Sequence, residues 1–218
     1  MRRKVLQAVN FAKYLRIIFS LLVMLFFTWS EDTNANFQSE EQQSILTAQK
    51  LLQATVKIEP NSVSSGSGFF VASDLILTNY HVVKNNNSVI SFRTYKELTC
   101  SAKLVRQEEY SDLALFRTPC SNDNYLPLQE LAYVGQSVIV AGNPTGFDFS
   151  ISKGIVSAFR PERIQFDAKI NFGSSGGVVS NLYGEVIGVT TEKSLQEANI
   201  NFAITAQRVN KFLQRAKE

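Results

Sequence analysis

The run "NFGSSGGVVS" at 171–180 sets two adjacent serines, Ser174 and Ser175, between Gly173 and the pair Gly176 and Gly177. A permissive backbone is needed there, because strand-like residues lie on both sides, "IQFDAKI" before and "VV" after. A serine hydroxyl is a weak nucleophile at neutral pH and requires an adjacent general base, most often an imidazole. The sequence contains one histidine, His81, in "LTNYHVV". An imidazole base in turn needs its second ring nitrogen oriented, commonly by a carboxylate. Asp112 opens "DLALFR" and is the candidate. Each residue alone has a plainer reading, a lone histidine as structural and an aspartate at a strand start as a turn residue. Together they describe acyl transfer, with His81 as base, Asp112 as its partner and a serine as nucleophile.

The glycines decide which serine. Acyl transfer builds negative charge on a carbonyl oxygen, and losing one backbone N–H aimed at it costs roughly 3–4 kcal/mol. Aiming two such groups inward demands a sharp turn, which favours glycine. Gly173 stands two residues before Ser175, and Gly176 follows it directly. The expected nucleophile is therefore Ser175. The N–H groups of Gly173 and Ser175 form the oxyanion hole, and Ser174 is the spacer between them.

These residues must be held by strands. From Thr55 to Ile204, short runs rich in Val, Ile, Phe and Thr alternate with turn signals. The runs are "GFFVA", "LILT", "SVISF", "AKLV", "LALFR", "SVIVAG", "GIVSAF", "RIQFDAKI", "GVVS", "EVIGVTT" and "INFAI". Many short strands at this spacing predict an all-β barrel or sandwich. The turn-rich "TPCSNDNYLP" at 118–127 divides the region into two similar halves. "SEEQ" at 39–42 has capping-box form and predicts a short helix ending before Ala54. Thr205 is an N-cap for a helix over 206–217, whose Val209, Phe212, Leu213 and Ala216 share one face.

The fragments "GSGFFV…LILTNYHVV", "SDLALFR", "GNPTG", "GIVSA", "DAKINFGSSGGVVSNLYGEVIGV" and "INFAIT" resemble, in order, the trypsin-like serine proteases of the HtrA/Deg group. The order His, Asp, Ser is also that of chymotrypsin-type enzymes. The resemblance spans about residues 50–213. It implies two perpendicular six-stranded antiparallel β-barrels, the first over about 54–120 and the second over about 126–205, with the active site in the cleft between them. It assigns the general base to His81, its orienting partner to Asp112, the nucleophile to Ser175 and the oxyanion turn to Gly173, Ser174 and Ser175. It further implies that Gly188, Val189, Thr190 and Thr191 pair with an extended substrate by strand addition. Residues 169–172 should wall a specificity pocket, with Ile170 at an apolar family position. Small or medium aliphatic side chains are expected there, and Lys169 either enters that pocket or snorkels to solvent.

The departures from the family also inform. Ser174 stands where the family usually has Asn, and Phe172 where it often has Pro. Digestive relatives carry an aspartate directly before the nucleophile, so the zymogen switch that uses it is not expected here. The connection "FRPERIQF" is short where the family often has a long loop. Relatives usually carry a PDZ domain after the last helix. The sequence ends at Glu218, so control by such a domain is not expected. Relatives also form trimers, a property that no feature of these residues indicates independently.

Composition bounds the remaining classes. The 218 residues are 44% hydrophobic, enough for a substantial core. The net charge is +3, but residues 1–30 carry five basic and no acidic residues, so the remainder is at −2. That leaves no electrostatic footprint for nucleic acid. The basic start precedes "IIFSLLVMLFFTW" at 17–29, a length that suits a secretory signal better than a bilayer span. Residues 1–30 are thus a signal peptide, cut after Ser30 or Ala35, or an uncleaved anchor in the inner membrane. Residues 31–53 form a polar segment with the short helix, and 54–218 the protease domain. Both readings of the leader put that domain outside the cytoplasm, periplasmic or secreted, with membrane contact only through 17–29. Cys100 and Cys120 match no zinc spacing and can bridge if their strands form a hairpin turning at Tyr110. No metal or other cofactor is expected. The leading expectation is a serine endopeptidase acting on exposed, unfolded or damaged polypeptides. The alternative is a protease-fold module that binds peptides with little or no turnover.

Overall fold

The computed structural model describes residues 19–21, 24, 39–59, 65–85, 88–193 and 200–216. They fall into two units, Met1–Gln43 and Ser44–Glu218. In the first, residues 19–21, 24 and 39–43 are helical. Most of the expected leader, with both cleavage points, lies outside the described residues. Among the described residues no helix is long and apolar enough to cross a membrane.

The second unit begins with a helix, α1 (44–54), which delivers the chain into two closed six-stranded antiparallel barrels. Barrel one contains β1 (Thr55–Ile58), β2 (Gly66–Ala72), β3 (Leu75–Thr78), β4 (Val89–Thr94), β5 (Thr99–Glu108) and β6 (Leu113–Arg117). A single helical turn, α2 (Tyr80–Val83), follows β3. Barrel two contains β7 (Ser137–Gly142), β8 (Ser150–Arg160), β9 (Arg163–Phe166), β10 (Val178–Ser180), β11 (Val186–Lys193) and β12 (Asn201–Thr205). Helix α3 (Ala206–Arg215) closes the fold, and the Thr205 hydroxyl accepts the Arg208 N–H at 3.3 Å as its N-cap.

Successive side chains on a strand point to opposite faces. On β2, Phe70 enters the interior of barrel one while Phe69 enters a separate layer shared with Leu51, Ile139, Val178, Val209 and Phe212. On β6, Ala114 and Phe116 point into the barrel, and Leu113 and Leu115 into the shared layer. On β10, Val179 fills barrel two and Val178 the shared layer. Both faces are apolar, so these strands read as continuous hydrophobic runs rather than alternations. Each such phenylalanine or leucine contributes roughly 1.5–3 kcal/mol on full burial. The shared layer ties both barrels, α1 and α3 into one body and sets the cleft walls.

Two local features differ from expectation and two agree with it. The strand "TVKI" of β1 is additional to the runs read from sequence; it is short, and its Val56 and Ile58 are fully buried. "DAKI" at 167–170 is not strand. The Asp167 carboxylate accepts the Ile155 N–H at 2.7 Å, and this side-chain bond ends the ladder of β8 and β9. The trimmed connection is a two-residue turn, Pro161–Glu162, between the paired Arg160 and Arg163. Cys100 and Cys120 are joined, with Cα atoms 6.5 Å apart. The register of β5 and β6, in which Lys103 faces Arg117, brings them opposite each other.

Candidate active site

His81 lies on α2, just past the end of β3, and Asp112 precedes β6, the strand that pairs with β3. The pairing Thr78↔Ala114 therefore brings the two residues together at one end of barrel one. The His81 Nδ1 lies 3.0 and 2.9 Å from the two Asp112 carboxylate oxygens. The His81 backbone N–H also donates to Asp112 Oδ1 at 3.0 Å. Asp112 adopts φ +54°, a left-handed conformation that Asp tolerates better than most residues. Asn79 supports it: its side-chain amide donates to the Asp112 carbonyl at 3.0 Å.

A residue that sequence reasoning placed only in the substrate strand also joins this group. The Thr191 hydroxyl, from barrel two, donates to Asp112 Oδ2 at 2.9 Å. Burial pushes the Asp112 carboxyl up. The hydrogen bonds from the His81 ring and backbone, the His81 charge and the Thr191 hydroxyl outweigh it and hold the group below its ordinary value. A carboxylate that stays ionised keeps the proton on Nδ1 and leaves Nε2 free to act as base.

Ser175 belongs to barrel two, in the turn before β10. Its hydroxyl donates to the Thr191 carbonyl at 3.2 Å, the strand residue that also holds Asp112. Ser174 points elsewhere, as its spacer position requires: its Oγ accepts the Asn171 N–H at 3.2 Å and its side chain is buried.

The two candidate oxyanion donors are aimed by their own peptide planes. In a trans peptide the C=O and the following N–H point in opposite directions. The Phe172 carbonyl accepts from the Thr145 N–H at 2.7 Å and from the Thr145 hydroxyl at 3.1 Å, so the Gly173 N–H faces away from that loop. The Ser174 carbonyl accepts from the Thr190 hydroxyl and from the Gly177 N–H, so the Ser175 N–H is turned away from the barrel. Neither donor has a protein acceptor among the described residues. Gly173 at φ +88° and Gly176 at φ +81° make the turn. A Cβ on Gly176 would lie 2.1 Å from the Ser67 carbonyl oxygen, so only glycine fits.

The four expected substrate-strand residues are not equally open along β11. Gly188 and Val189 are paired on one side with β10 and on the other with β12, and Thr190 is bonded to Gly176 and Gly177 as well as paired with Ala203. Their edges are committed to the barrel. Of the four residues only Thr191 has no backbone pairing to β10 or to Gly176 and Gly177 among the described residues, and β11 continues past it to Glu192 and Lys193. Ile170 and Lys169 line a cavity of about 340 Å³ with Pro144, Phe147 and Ile151, which Ser174 reaches. The strand positions 188–191 are not part of its lining.

Residues 66–189 match the family described as "Trypsin-like peptidase domain", a span that includes His81, Asp112 and Ser175. "Serine protease HTRA2, mitochondrial" of Bos taurus is 40% identical over 172 residues, which is 72% of this chain and 37% of that protein. "Serine protease HTRA1A" of Danio rerio is 36% identical over 170 residues, 70% of this chain and 34% of that protein. The chain thus spans well under half the length of these curated relatives. The crystal structure of the serine endoprotease from Yersinia pestis superposes with a TM-score of 0.72 at 29% identity, covering 78% of this chain and 65% of that one. Two closed barrels, the motif order and these similarities lead to one assignment: the chain belongs to the trypsin-like peptidase family and has HtrA-type serine proteases among its relatives.

Proposed function

We propose that this chain is a serine endopeptidase in which Ser175 is the nucleophile, His81 the general base and Asp112 its orienting partner. The observation that carries the reading is the His81–Asp112–Thr191–Ser175 chain of hydrogen bonds, which joins residues from both barrels at one cleft. The Ser175 hydroxyl first rotates from the Thr191 carbonyl toward His81 Nε2. It then attacks the scissile carbonyl, and its proton passes to Nε2. Asp112 stabilises the imidazolium, and the N–H groups of Gly173 and Ser175 receive the oxyanion. His81 returns the proton to the leaving amine, and water repeats the sequence on the acyl-enzyme.

The substrate is an extended polypeptide, exposed or unfolded, that pairs with the open edge of β11 from Thr191 onward. Its preferred residue before the cut is a small or medium aliphatic one. The catalytic unit acts outside the cytoplasm, delivered or anchored by residues 1–30. Labelling with a serine-directed phosphonate, followed by mapping of the adduct, tests the assignment. An adduct on Ser175 that disappears in His81→Ala is expected. Labelling at Ser174 overturns the register. Retained peptide binding with no labelling at all would instead favour the module without turnover, for which the Ser175–Thr191 bond is the resting contact.

A further inference from the structure

The turn that carries Gly173 and Ser175 is part of barrel two, yet barrel one grips it from behind. Ser67, on β2, is fully buried. Its backbone N–H donates to the Ser175 carbonyl at 2.8 Å. Its hydroxyl donates to the Gly173 carbonyl at 2.8 Å. The same oxygen accepts the Asn143 N–H at 2.7 Å, with the Asn143 side-chain amide at 3.4 Å. The hydroxyl has one proton, so with Asn143 occupying the lone-pair side that proton is committed to Gly173. Asn143 is itself held to barrel one, because its amide donates to the Val56 carbonyl at 2.9 Å.

The consequence concerns the peptides on either side of Gly173. Thr145 fixes the preceding one through the Phe172 carbonyl. Ser67 fixes the following one through the Gly173 carbonyl. The Gly173 N–H lies in the first of these planes, opposite the Phe172 carbonyl, and Ser67 anchors the plane beyond the Gly173 Cα, so the hinge about which the first plane could tilt is itself held. We propose that Ser67 is a positioning residue that aims the Gly173 oxyanion donor from the opposite barrel, so that competence of the turn depends on barrel docking. The inference rests on the peptidase reading above and adds to it a residue that never touches substrate.

The test compares wild type, Ser67→Ala and Thr118→Val. Thr118 supplies a buried hydroxyl at the end of the same barrel that donates to the Ser101 carbonyl and accepts the Cys120 N–H, contacts remote from the turn, so it reports general destabilisation only. The measurements are kcat and KM on a peptide substrate, the rate of phosphonate addition to Ser175, the pH–rate profile and thermal unfolding. Ser67→Ala should lose about 10–10²-fold in kcat, less than deletion of a donor outright. Phosphonylation should slow by the same factor, KM should stay within about threefold, and the acid limb should not move, because the His81–Asp112 pair is untouched. Thr118→Val should lower thermal stability with unchanged rates. If Ser67→Ala does not fold, Ser67→Cys, which keeps a weaker donor, takes its place and should slow kcat and phosphonylation together by about 3–10-fold relative to wild type. Wild-type phosphonylation in either Ser67 variant overturns the inference, as does an equal rate loss in Thr118→Val. Failure of the wild type to react overturns the peptidase reading itself, and the role of Ser67 with it.

Discussion

Gly173→Ala is the sharpest perturbation of the oxyanion turn. Gly173 has φ +88°, and a Cβ built on it would lie 2.4 Å from the Asn143 carbonyl oxygen and 3.0 Å from the Thr145 nitrogen. The left-handed conformation alone costs an L-residue roughly 1–2 kcal/mol. The contact is the larger problem. Ordinary carbon–oxygen separation requires the turn or the 143–145 segment to retreat by about 1 Å, and oxyanion donors work only within ~2.7–3.1 Å of the developing charge. A retreat of that size removes the Gly173 donor, and loss of one donor is worth ~3–4 kcal/mol, or about 10²–10³ in kcat. Gly135 separates the two effects. It has φ +84° with nothing within 4 Å of where a methyl group would sit, so Gly135→Ala carries the conformational cost without the clash. Steady-state hydrolysis of a peptide and the phosphonylation rate of Ser175 are measured for both variants, alongside thermal unfolding. Gly173→Ala should lose two to three decades in both rates, with KM little changed. Gly135→Ala should lose only stability. A Gly173→Ala enzyme within threefold of wild type in kcat would refute the reasoning.

Ser175→Ala and His81→Ala should each reduce turnover by roughly 10⁶-fold, because nucleophile and base act as one unit. Ser174→Ala should cost far less, and full activity in Ser175→Ala on the same assay would overturn the assignment. The depressed Asp112 pKa makes a statement about stability: the folded state binds fewer protons there than the unfolded chain. Its stabilising contribution is therefore complete above the ordinary carboxylate range and is lost as pH falls through the folded value. Unfolding of wild type and Asp112→Asn should accordingly differ at neutral pH and converge in acid, and a gap that widens in acid would contradict this. The Cys100–Cys120 bridge closes a loop with a sequence separation of 20. Reduction or Cys100→Ser should cost about 3 kcal/mol in denaturant melts by the chain-entropy estimate, and equal thiol titres before and after reduction would exclude the bridge.

The sequence alone determined every strand but β1 and the chemical types at the site, and the reason is local. Runs such as "GFFVA" and "LALFR" are apolar on both faces because one face fills a barrel and the other the shared layer, so burial is written into consecutive residues. Gly173 and Gly176 are legible because a left-handed turn with no room for a Cβ restricts the residue type at that position. Only the tertiary structure decided what depends on register and docking. Thr191 meets Asp112 across 79 residues, and Ser67 meets Gly173 across 106. Neither hydroxyl differs in sequence from any other. Among the described residues β11 is unpaired on that side from Thr191 rather than from Gly188, because β10 and the Gly176–Gly177 turn occupy it as far as Thr190, and "DAKI" leaves the ladder because the Asp167 carboxylate takes the N–H that a strand carbonyl would have taken. Composition and spacing report what a residue can do. Which partner it reaches is a property of two barrels packed through one apolar layer, and no local pattern encodes that contact.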